Sequence, residues 1–137
     1  MSSILRISGE ALEVDELLSQ YPLPAYRIWK KGEPRIIKGK FHCDSGACFL
    51  VSDADFDDFS RQVADAIEFL NIHASSIAQM SSFSGVQDAD LDFGVSIYQG
   101  HYTQFSYLPP KLIQLAASAG IGLEVSHYGC SNEDEES

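Results

Sequence analysis

Positive charge is scarce in this chain. Nine Lys and Arg stand against 20 Asp and Glu, giving a net charge of −11 and a pI near 4.5. A surface of that sign repels nucleic acid and anionic membranes, so neither is an expected partner; a basic protein is. Cysteine is also sparse: Cys43, Cys48 and Cys130 are the full set. An odd count without a secretion signal argues against a disulfide framework and for reduced thiols. No apolar run approaches the roughly 18 residues of a membrane span. Ile4 to Ile7 is too short for a signal-peptide core and has no basic start before it, so the expected location is the cytoplasm.

Catalytic and metal motifs are missing in the same way. There is no G-x-S-x-G elbow, so His73, His101 and the many Ser and Asp residues form a triad only on paper. Gly120-Ile121-Gly122 ends a helical stretch and precedes an extended one, the reverse of a dinucleotide fingerprint. Asp53-Asp55-Asp57 and Asp88-Asp90-Asp92 begin like calcium loops. However, Asp58 and Phe93 stand where such a loop needs Gly, and Ala64 and Gln99 stand where it needs Glu. His42-Cys43 and Cys48, with four residues between the cysteines, would need His127 and Cys130 from the closing strand to make a zinc set. The reading names no catalytic residue, metal or cofactor, ranks an enzyme with an unrecognised site last among the function classes, and takes the thiols as small apolar or surface groups.

What the chain does have is periodicity. With 137 residues, 45% hydrophobic and 21% charged, it is long enough to bury a core as one domain. Phe56, Phe59, Val63, Ile67 and Leu70 recur at helical steps, which predicts a central helix over 52–70 with a Ser52/Asp55 capping box. Leu91, Phe93, Val95 and Ile97 alternate with Asp92, Gly94, Ser96 and Tyr98, which predicts a strand with one buried face for that helix to cover. Strands are expected at 4–8, 25–30, 35–41 and 47–51. Another is expected at 103–107, pairing back as a hairpin, and a last one from Leu123. Short helices are expected at 14–20, stopped by Pro22 and Pro24, and after Pro109-Pro110. The second should end on Gly120 as a left-handed cap with Ile121 as its apolar contact. The serine-rich stretch 74–85 reads as a loop holding one short element. The class is α+β: a single layered domain over 1–130, with a mainly antiparallel sheet of about six or seven strands and three helices mostly on one face. Residues 131–137, with Glu133 to Glu136, read as an acidic disordered tail.

The two ends, LRISGEALEVDELL with YRIWKKGEPR and LAASAGIGLEVSHY, resemble a bacterial family known as the domain of unknown function 4279 family. The likeness spans most of the chain and implies no catalytic motif. Small acidic bacterial proteins of this kind also resemble immunity proteins of toxin systems, by analogy alone.

Two candidate surfaces follow. Asp57, Asp58, Asp65 and Glu68 lie off the central stripe and would steer a basic partner such as a toxin domain. This gives the leading expectation of a non-catalytic protein-binding module. The alternative is a small-ligand or anion-binding domain. Six of the nine cations fall between Arg27 and Lys40, where Arg27, Trp29, Lys30, Lys31 and Arg35 could hold a carboxylate or phosphate. The blander reading of that segment is a solvated hairpin with Trp29 as a core anchor.

Overall fold

The computed structural model describes residues 2–129. Eight elements follow one another: β1 (Ser3–Gly9), α1 (Val14–Gln20), β2 (Ala25–Trp29), β3 (Ser45–Ser52), α2 (Phe59–Ser81), β4 (Asp88–Ser96), α3 (Pro110–Ser118) and β5 (Gly122–Tyr128). The strands form one sheet in the order β2-β3-β1-β4-β5. Three pairings are antiparallel, and the last, β4 with β5, is parallel. The class is therefore α+β with a mixed five-stranded sheet.

Strand alternation assigns the two faces. Leu5 and Ile7 of β1, Ala47 and Phe49 of β3, and Leu91 and Phe93 of β4 share one buried cluster with Val14 and Leu17 of α1, Leu70 and Ile77 of α2, and Leu112 and Ala116 of α3. All three helices thus lie against the same face. Phe59 meets Phe93 edge-on, with ring centroids 5.4 Å apart. The opposite face carries Arg27, Cys48, Arg6 and Asp90 as one row across four strands, with Asp92 and Glu124 in the next row. No helix covers it.

Several expectations need correction. The sheet has five strands, not six or seven. Residues 35–41 make only an isolated bridge between Pro34 and Phe41. Residues 103–107 make no strand; instead the Gln104 side chain accepts from the Tyr98 N–H and donates to the Ser96 carbonyl, closing the loop without a ladder. The central helix starts seven residues later than expected and runs eleven further. Ser52 is no cap: it ends β3, and its hydroxyl donates to Asp65 at 2.6 Å and accepts from the Ala54 N–H. Asp58 caps the helix, accepting from the Arg61 N–H at 3.2 Å. Phe56 and Ile97, expected in the core, are 41% and 45% exposed, because both lie beyond the elements assigned to them.

At its other end α2 passes straight through the serine-rich stretch. Ile77 and Met80 continue the stripe and are fully buried, so packing overrides the weak helix preference of serine. The Ser81 hydroxyl donates to the Ala119 carbonyl at 2.7 Å and ties α2 to the end of α3. There the expected cap is present. Gly120 has φ +72°, its N–H donates to Ala117, and the Ile121 N–H donates to Ala116. This is the paired bonding of a Schellman end.

One buried polar residue locks helix to sheet. Gln62 is wholly buried. It accepts from the Ser3 hydroxyl at 2.7 Å and donates to the carbonyls of Gly94 at 2.8 Å and Asp55 at 3.2 Å, so its amide is satisfied on both sides.

Candidate functional site

The open face is electrically divided. On β4 and β5 it carries the acids Asp90, Asp92 and Glu124, of which Asp92 is held internally. Asp92 accepts from the Ser126 hydroxyl at 2.7 Å and faces the Arg6 guanidinium at 3.6 Å. Toward β2 the charge is positive, from Arg6 of β1 and Arg27 of β2. Arg27 and Arg6 flank Cys48 in register. Burial works against the Arg6 charge, but Cys48 and Asp92 beside it outweigh that and raise its pKa. The Cys48 thiol, almost fully buried, is pushed up by burial, against the opposing pull of Arg6 and Arg27. Burial thus disfavours the thiolate, the form in which a cysteine attacks.

Trp29 organises this side. It lies over Gly46, where an added Cβ would collide with the indole ring. Its Nε1 donates to Asp44 at 2.9 Å. His42 stacks on it with centroids 6.1 Å apart, and the Arg27 guanidinium sits 5.2 Å from its ring centre. Trp29 is thus a half-buried platform on the open face and not a core anchor.

The segment between β2 and β3 is a projecting arm. It is closed by Gly32 N–H to His42 O, His42 N–H to Glu33 O and Arg35 N–H to Lys40 O, and every residue from 31 to 41 is exposed. The arm brings Arg35 and His42 back beside β2. Two adjoining clefts share Arg27, Trp29, Arg35 and His42. One, of about 280 Å³, opens over the sheet toward Arg6, Cys43 and Asp44. The other, of about 370 Å³, adds Ile28, Pro34, Ile36 and Ile37.

The structure therefore gathers Arg27, Trp29 and Arg35 but not the two lysines expected with them. The Lys30 Nζ lies 2.7 Å from Asp15, a bond that raises its pKa. Lys30 and Lys31 line a different hollow beside α1. Arg6 and His42 join the site instead. Alternation in β1 already points Arg6 away from Leu5 and Ile7, but only the strand order sets it next to Arg27.

The four candidate acids do not form one patch. Asp57 and Asp58 border a cleft of about 410 Å³ with Tyr98, Phe105 and Tyr107. Asp65 and Glu68 border a separate hollow of about 220 Å³. Asp58 is engaged as the helix cap and Asp65 by Ser52.

Among the described residues, no three His, Cys, Asp or Glu side chains are gathered as metal ligands. Cys130, which the considered zinc set needed, lies outside them, as does the acidic tail. No described helix is long and apolar enough to cross a membrane.

Comparison with curated proteins and with solved structures found no match. The family described as "Domain of unknown function (DUF4279)" matches residues 1–129, and with that coverage the chain belongs to the DUF4279 family.

Proposed function

We propose that this domain is a non-catalytic binding module for an anionic ligand, working through Arg6, Arg27, Trp29, Arg35 and His42. The observation that carries the reading is convergence. In a chain of net charge −11, three arginines and a histidine from β1, β2 and the arm gather around one tryptophan. Neither Arg27 nor Arg35 has an ion-pair partner among the described residues, whereas Arg6, Lys30 and Arg61 do. A guanidinium pair beside an aromatic platform suits a carboxylate or phosphate, which it can grip in bidentate fashion. The acidic-surface reading, an immunity-type antagonist of a basic toxin domain meeting Asp57, Asp58, Asp65 and Glu68, has less support. Those acids divide between two hollows, and two of them are already bonded within the fold.

The test is titration with tripolyphosphate and with poly-L-glutamate at low ionic strength, where such contacts are least screened. Reversing Arg27→Glu and Arg35→Glu together should weaken binding about tenfold or more, since a hydrogen bond to a charged group contributes roughly 1.5–3 kcal/mol. Reversing Asp57, Asp58, Asp65 and Glu68 to Lys should leave it in place. The opposite pattern would return the function to the acidic surface.

A further inference from the structure

The larger of the two basic clefts has a shape that an open anion site does not need. Arg27 and Trp29 stand opposite Cys48 and Gly46, on the uncovered face of the sheet. Ile28 stands opposite Ala47 and so points to the helix side. Yet all three line the same cleft, with Pro34, Arg35, Ile36 and Ile37 of the arm across from them. A cleft that takes in both faces of a strand must run along that strand's edge. Among the described residues, β2 is the terminal strand of the sheet and pairs only with β3, so its outer rim is the unpaired one. An uncovered strand edge is a template for one more strand.

The lining states what that strand should carry. On the open-face side it meets Arg27, Arg35 and His42. On the other it meets Ile28, 48% exposed, and Ile36 and Ile37 of the arm, at 102% and 60%, line the same cleft. An extended segment presents alternate residues to these two sides. Carboxylates would face the guanidinium groups, and apolar residues would face the isoleucines. Nucleic acid or a free phosphate would use the cations and leave the isoleucines in water.

Resting on the anion-binding reading, we infer that the ligand is an extended acidic peptide segment of a protein partner, with alternating acidic and apolar residues. It adds to the free edge of β2, between β2 and the arm, as a sixth strand. The main chain provides the hydrogen bonds and the alternating side chains provide the selectivity, as in other strand-addition modes.

Trp29 is the chain's only tryptophan, so its fluorescence reports this site directly. The probe is an acetylated, amidated hexapeptide alternating Glu and Val, titrated into the full chain. Replacing its Glu by Gln should weaken binding about tenfold, as should Arg27→Glu with Arg35→Glu in the protein. Two further peptides separate strand addition from simple charge attraction. One is N-methylated at its odd positions and the other at its even positions. Only one set of amides faces β2 in an added strand, so one peptide should lose binding about tenfold or more while the other keeps it. If tripolyphosphate binds through the two arginines but both methylated peptides bind like the parent, the anion reading stands and the added strand is overturned. If neither the peptide nor tripolyphosphate depends on the two arginines, both readings fall. Self-association of the free chain that disappears in the arginine variant would assign the edge to a second copy and overturn the inference.

Discussion

The two ends of the sheet are built on opposite terms. Where β3, β1 and β4 lie under α2, side chains from every layer interlock. Leu5, Phe49, Leu91 and Phe93 are buried to 1% exposure or less, and even the polar Gln62 is fully enclosed. Around β2 and the arm, the residues from 31 to 41 are all exposed, and the ordered feature is one tryptophan with the groups stacked and bonded around it. Stability therefore resides at one end and a presentable surface at the other. Changes at the first end should unfold the protein, and changes at the second should alter what it binds.

The sharpest way to break that division is Phe93→Ala. It removes a fully buried ring from the centre of the sheet and should cost about 3–5 kcal/mol in chemical denaturation. Next is Gln62→Ala, which strands the Ser3 hydroxyl and the Gly94 carbonyl inside the fold. The expected loss is about 1–3 kcal/mol. Trp29→Ala should cost less, about 1 kcal/mol for the lost cation–π contact and hydrogen bond. It should also raise hydrogen exchange across 30–44 while leaving β1 and β4 protected. The pair Arg27→Glu and Arg35→Glu should move stability by no more than about 0.5 kcal/mol; a larger loss would mean that the arm is part of the core. The gentlest probe is alkylation with iodoacetamide, which should label exposed Cys43 in the native protein and buried Cys48 only on unfolding. Because burial raises the Cys48 pKa, its contribution to stability is fully present below the unfolded thiol's pKa. It should fade only as alkaline pH passes through the raised value.

Legibility in the sequence followed the range of the forces involved. The Gly120-Ile121 cap was readable because its bonds close within a few residues. The alternation of β4 was readable because burial of one face imposes it along the strand. The extension of α2 to Ser81 was not, since Ile77 and Met80 are made helical by the sheet and α3, and serine carries no sign of that. The strands expected at 35–41 and 103–107 failed for the converse reason: strand-like composition finds no partner there. Half of the candidate site was visible as a run of cations. Its division, with Lys30 drawn off to Asp15 and Arg6 drawn in, is a property of strand order. Cross-strand neighbours such as Arg27, Cys48 and Arg6 are set by register, which no local pattern records.

That strand order also governs how the chain can be assembled as it is made. β1, which precedes the other four described strands in the chain, is the middle strand of the finished sheet, with β3 on one side and β4 on the other. Its Ser3 cannot meet Ser52, nor later Phe93, until those residues have been synthesised. β5 then joins by a parallel pairing that must wait for α3 to cross over. Leu5 and Ile7 consequently stay without their sheet and helix partners until those later elements have been made. The sheet closes late and from the centre outward, in the slow regime expected of long-range pairings.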